Sequence, residues 1–170
     1  MKAHDDQKAP DDHQYLLALL AAIKNIDSPR LQKLVFLLET AGAPLRYRYQ
    51  MHFNEPYSED LEADLNLLTT QGFITQEVES STGKLVIGST GAATDPQNIS
   101  EGLRPYLHAI AELAKVDARI LDFATTFGAW RKFKYDSRDA FERAVRNAGD
   151  KKIDAEGARF LERLGLLTKS

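Results

Sequence analysis

The sequence predicts an α+β protein, mostly helical, with its strands confined to the first half, and three observations carry that expectation. Apolar residues return at helical spacing along most of the chain. Residues 45–54 break that rhythm with strict alternation: Leu45, Tyr47, Tyr49, Met51 and Phe53 stand against Arg46, Arg48, Gln50, His52 and Asn54, which is the period of an extended strand. A further extended pair, residues 73–78 and 84–87, flanks a turn at 80–83, and after residue 99 every segment reads as helix.

The first helix is carried by Tyr15, Leu16, Leu19, Leu20 and Ile23, with Asp11 or Asp12 placed to cap it. His4 and His13 lie beside aspartates, but a flexible tail forms no preorganised metal shell, so no metal is expected there. Ser28 and Pro29 start the second helix, since proline at the first helical position gives up a donor that had no partner. Leu31, Leu34, Val35 and Leu38 form its apolar face, and Phe36 and Leu37 widen that face until the helix must be central to a core. Gly42 and Pro44 end it.

The alternating strand follows, with His52 on its solvated face, and Pro56 stops it. Ser58 then precedes a third helix with Leu61, Leu65 and Leu68 inward, and with Glu59 and Asp60 at the positive end of its dipole. Gly72 and the hairpin complete the order helix, helix, strand, helix, hairpin, which is the order of a winged helix. Residues 12–88 thus read as a winged-helix-like domain, 89–98 as a linker, and 99–170 as a helical subdomain packed on the first. The linker is rich in glycine, serine and threonine, but a phosphate loop ends in lysine followed by serine or threonine, where Asn98 and Ile99 stand here, so no nucleotide is expected.

Leu31, Gln32, Lys33, Leu34, Val35 and Phe36 resemble the opening motif of the YwgA-like family of uncharacterised prokaryotic proteins. Residues 53–58 resemble that family's aromatic, glycine, proline, tyrosine, serine turn, and Leu65, Leu68, Gly72, Phe73 and Ile74 follow at the expected spacing. A more distant similarity runs to the Panacea (SocA-like) antitoxin domains, whose members neutralise toxins by binding them, some acting as adaptors for proteolysis. The resemblance covers residues 15–78 well and the later helices loosely. Both patterns have glycine where this chain has Glu55; glutamate would be strained at positive φ, so a turn of different shape is expected.

In the second half, Ser100 caps a helix with Leu103, Leu107, Ile110, Ala111 and Leu113 inward, and Asp117 starts another through Ile120, Leu121, Ala124 and Phe127. Gly128 and Trp130 lead into a basic cluster, Arg131, Lys132, Phe133, Lys134 and Tyr135. Asp136 or Ser137 caps a helix ended by Gly149, and Asp154 opens the last helix, closed by Gly165.

Composition and charge then exclude function classes. The 170 residues, 43% hydrophobic and 28% charged, suit one well-packed core. With no cysteine there are no disulfides, thiolate metal sites or cysteine nucleophiles, which fits a reducing compartment. The longest apolar run, residues 16–23, is too short to span a bilayer, and the aspartate-rich residues 1–12 are the opposite of a secretory leader, so a cytoplasmic protein without membrane contact is expected. No Ser/His/Asp or histidine-rich metal spacing occurs, and His108 reads as a structural helix residue, so neither catalysis nor a cofactor is expected.

Between Glu55 and Glu79 there are seven acidic residues and no lysine or arginine, so a third helix in a DNA groove would bring like charges together. The expected function is a non-enzymatic protein-interaction module, antitoxin-like or a regulatory adaptor. Tyr57 would be the aromatic anchor and Glu55, Glu59, Asp60, Glu62 and Asp64 a rim suited to a partner with a basic surface. The alternative is a nucleic-acid-binding regulator, weak given a net charge of -3, using Arg131, Lys132, Lys134 and Arg138, with Arg143 and Arg146 nearby. A second basic region joins Arg46 and Arg48 to Arg30 and Lys33.

Overall fold

Helix α2 (Ser28–Thr40) is the centre of the molecule: Leu31, Leu34, Val35, Phe36, Leu37 and Leu38 are all fully buried, as a helix apolar on nearly every side requires. The computed structural model describes residues 10–52, 55–90, 102–133 and 136–168. The protein is α+β and mostly helical, as expected. Helix α1 (Pro10–Ile23) leads into a short strand β1 (Asn25–Asp27), then α2. A two-stranded ribbon, β2 (Gln50–His52) and β3 (Glu55–Tyr57), precedes α3 (Glu59–Thr70) and the hairpin β4 (Ile74–Val78) and β5 (Leu85–Ser89). A 3-10 turn (Arg104–Tyr106) then opens the helices α4 (Leu107–Lys115), α5 (Ala118–Phe133), α6 (Ser137–Ala148) and α7 (Lys151–Arg163).

The three-stranded sheet is antiparallel in the order β1, β5, β4, with Ile26 opposite Ile87 and Gln76 opposite the same residue on the other side. Strand β1 has no sequence signal, being three residues long between two helices. The chain enters it through Lys24, the one described non-glycine residue at positive φ (76°), whose carbonyl accepts from the Ser89 amide at 3.4 Å. Strand β5 runs through Ser89, the first residue of the expected linker, and residues 91–98 lie outside the described ones.

The expected ten-residue strand is not one. Only residues 50–52 pair, and they pair with 55–57, so Pro56 lies within the ribbon opposite Met51 instead of stopping a strand. Proline is tolerated there because both strands of a two-stranded ribbon are edges. The alternation of burial holds for residues 45–50, with Leu45, Tyr47 and Tyr49 buried and Arg46, Arg48 and Gln50 exposed. Those buried residues pack on α2, Tyr49 meeting Phe36 edge to face at 5.1 Å, and the Tyr47 amide donates to a Glu39 carboxylate oxygen instead of a neighbouring strand. Alternation therefore marked an extended, half-buried segment, which is a weaker statement than a strand. Met51 is 46% exposed, ending the pattern, and Phe53 and Asn54 lie outside the described residues.

Several helix starts shift. Helix α1 begins at Pro10, so Asp11 and Asp12 lie inside it and His13 is a helical residue, not part of a tail. Asp27, not Ser28, caps α2 by accepting from the Arg30 amide at 3.0 Å. Asp150, not Asp154, caps α7. Ser100 is outside the described residues, and Leu107 and Ala111 of the following segment are exposed. Ser58 and Asp136 cap α3 and α6 as expected, and Gly149 and Gly165 adopt the positive φ that favours glycine.

One continuous cluster of buried side chains joins both halves, from Leu16 on α1 to Leu166 after α7. Two glycines within helices permit close approaches to aromatic rings. A Cβ on Gly128 would stand 3.1 Å from Phe36, and one on Gly157 would stand 2.4 Å from the Phe123 ring. Helix α5 therefore runs through Gly128 and Trp130 without a break, because that glycine serves packing against α2.

Candidate protein-interaction surface

Gln32, buried on α2, uses both ends of its side-chain amide on one residue. Its Nε2 donates to the Ser58 carbonyl at 3.1 Å, and its Oε1 accepts from the Ser58 amide at 3.0 Å. Ser58 in turn accepts with Oγ from the Leu61 amide at 3.2 Å, so the start of α3 is clamped to α2. Tyr57 and Glu59, either side of Ser58, are thereby held in place.

The six acidic and aromatic positions singled out from the sequence do not form one rim. Asp64 is buried at 7% exposure, where Oδ2 accepts from the Tyr47 hydroxyl at 2.9 Å and Oδ1 lies 3.2 Å from His13 Nε2. It faces inward because α3 turns every fourth residue toward the core, where Leu61, Leu65 and Leu68 lie. Asp60 accepts from Arg48 Nε at 3.0 Å and so is paired. Glu55 is extended within β3, with no positive φ, and pairs with Lys33 Nζ at 2.9 Å. What remains is Tyr57 with Glu59 and Glu62, neither glutamate having a basic partner among the described residues. Burial, then the charges of Glu62 and Glu59, raise the Tyr57 phenol above its ordinary value, which puts both carboxylates within electrostatic reach of the ring.

Lys33 holds two carboxylates, Glu55 of the ribbon and, at 2.7 Å, Asp122 of α5. Burial acts to lower its basicity, but the hydrogen bonds and charges of Asp122 and Glu55 outweigh it and raise the pKa. Beside this bridge a cleft of about 200 Å³ opens between the first turns of α2 and the ribbon, walled by Pro29, Gln32, Lys33, His52, Pro56 and Tyr57. His52 is exposed, as expected, and its ring sits 5.7 Å from that of Tyr57.

Most cations of the two basic regions make contacts within the chain. Arg30 donates to the carbonyls of Leu113 at 3.1 Å, Ala114 at 3.3 Å and Val116 at 2.8 Å, closing the end of α4 in place of a local cap. With Arg30 held by carbonyls and Lys33 and Arg48 by carboxylates, Arg46 is the cation of that region for which no partner is seen among the described residues. In the second region Arg131 donates to the Leu166 carbonyl at 2.6 Å. Lys132 lies over the rings of Tyr49 and Phe36 at 5.3 and 5.5 Å, and Arg143 over Trp130 at 5.0 Å. Arg138 pairs with Glu142 one helical turn on, at 3.4 Å, while Lys134 and Tyr135 lie outside the described residues. The cations legible in the sequence thus make contacts within the chain while Arg131, Lys132, Phe133 and Arg138 remain exposed.

Among the described residues no group of three His, Asp or Glu side chains could hold a metal ion, and no helix is long and apolar enough to cross a membrane. Gln32, Arg30 and the cleft had no signal in the sequence, because each depends on partners 26 to 86 residues away. Searches find no family model, no curated protein and no solved structure that matches this chain.

Proposed function

We propose that this chain is a cytoplasmic, non-enzymatic protein-interaction module, antitoxin-like or a regulatory adaptor, whose first half is a winged-helix-like unit turned to protein binding. The observation that carries this reading is the trio Tyr57, Glu59 and Glu62: an aromatic anchor clamped in position, flanked by two carboxylates without basic partners. The strand order β1, β5, β4 with α1, α2 and α3 interleaved supports the winged-helix-like part of it. So does the resemblance of α2 and the Ser58 turn to the YwgA-like and Panacea families. A carboxylate-flanked helix start repels phosphates and attracts a basic protein surface. The nucleic-acid alternative would use Arg131, Lys132 and Arg138, which are exposed, against a net charge of -3 that offers no general attraction.

The test is capture of the partner from the native host followed by charge reversal at Glu59 and Glu62 to lysine. Glu59 is exposed and Glu62 half-buried in the first turn of α3, so reversal gives up their interaction with the helix dipole and should lower stability by about 1–2 kcal/mol without unfolding the chain. Partner affinity should fall at least about tenfold at low salt and less at high salt. Unchanged affinity at low salt would remove this surface from the interface.

A further inference from the structure

We infer that the cleft between α2 and the β2–β3 ribbon receives one long cationic side chain of the partner protein, arginine foremost, laid against Tyr57. This rests on the proposed interaction module and names what its anchor site takes. Size comes first: sites for whole small molecules run to about 300–1,000 Å³, and this cleft holds about 200 Å³. It admits a single side chain. Its shape is set before any partner arrives, since the Gln32 amide ties Ser58 to α2 and the Lys33 bridge ties Glu55 to α2 and α5.

Charge then selects the occupant. The one lysine of the cleft is turned to two carboxylates, Glu55 and Asp122, so that group carries a net negative charge. Glu59 and Glu62 add theirs beside Tyr57. An anionic group entering the cleft would meet the Glu55 carboxylate on its wall and a Lys33 ammonium already held by Glu55 and Asp122. An uncharged apolar group would gain burial against Pro29 and Pro56 but would strip water from the carboxylates without replacing it. A guanidinium meets both demands, because it is planar, weakly hydrated, stacks on an aromatic face and donates to carboxylates at its edge. Glu55, 55% exposed in its side chain, has oxygen lone pairs beyond those used by Lys33.

The probe is Nα-acetylarginine amide, titrated into the full chain labelled with nitrogen-15, with the citrulline analogue as the uncharged isostere. Saturable shifts at Lys33, His52, Tyr57 and the Gln32 side-chain amide are expected with arginine, and binding at least about tenfold weaker with citrulline. Tyr57→Ala and Glu55→Gln should each weaken arginine binding, and Tyr57→Phe should hold it within about twofold, since the ring and not the hydroxyl does the stacking. No saturable shift with arginine, or equal response to citrulline, would overturn the assignment. So would arginine binding that ignores Tyr57→Ala. Glu55→Gln removes the charge but keeps an acceptor oxygen for Lys33, and so keeps the test valid if Tyr57→Ala unfolds. Failure here is separable from failure of the interaction surface. A partner lost on reversal of Glu59 and Glu62 but indifferent to Tyr57→Ala leaves the surface standing and removes the cleft.

Discussion

Gln32 and Tyr49 show how much the fold asks of single side chains. Replacing Gln32 by alanine would leave the buried Ser58 amide without an acceptor, while the Ser58 carbonyl would keep the Glu62 amide, and the loss should cost about 1–3 kcal/mol. Urea unfolding measures the loss, and it should appear together with broadened resonances in the first turn of α3. Tyr49 is pushed well above the ordinary tyrosine value, first by burial and then by the Glu39 charge. The unfolded chain ionises this phenol above pH 10 while the folded one resists, so stability is intact below pH 10 and falls as the pH rises beyond it. Lys33, also raised, adds a loss in the same direction above pH 10.5. Stability measured across that range should therefore decline, and Tyr49→Phe should make the decline shallower; an unchanged slope would exclude Tyr49 as its source. Residue roles were legible where partners are local, as with Ser58 and Leu61. They were not legible where the partner is remote. Counting charges along the sequence made Asp60 and Asp64 a rim, whereas Arg48, Tyr47 and His13 meet them through the fold.

At the level of elements, periodicity found six of the seven α-helices of the described residues close to their observed places, together with the β4–β5 hairpin. Strand β1 escaped because three residues carry no period, and the fourth helix was misplaced at its start because Pro105 enforces a 3-10 turn before Leu107. The extended segment after α2 was overread as a strand because packing on one face produces the same alternation as a ladder. The passage from α1 into β1 offers a direct test. Lys24 holds φ 76°, a conformation in which a side chain costs about 1–2 kcal/mol relative to an ordinary backbone. Lys24→Gly should accordingly raise stability by about 1 kcal/mol, seen as a higher urea midpoint with the slope unchanged. A lower midpoint would mean that the lysine stem contributes more through packing than its backbone loses.

Across the whole molecule, α4 and α5 join the two halves in one core, α4 packing on α1 and α2, and α5 touching α2 on one side and α6 and α7 on others. Gly157 marks the tightest seat of α5. An alanine there would drive a Cβ to 2.4–2.8 Å from Phe123, and the destabilisation should reach at least about 3 kcal/mol, or roughly 6–12 °C in Tm. Calorimetry should show the whole transition moving as one, since a shift of part of it would mean that the halves unfold separately. The hold of Arg30 on the end of α4 has a consequence for the newborn chain. Its acceptor at Val116 lies 86 residues downstream, which at about 5–20 residues per second separates their emergence by roughly 4–17 s. Through that interval the central helix of the protein, with leucines and Phe36 on nearly every side, waits in water for partners in α4 and α5 that have not yet been translated. The chain is at its most sticky before synthesis ends, so slowing the ribosome between α3 and α5 should raise aggregation and dependence on chaperones.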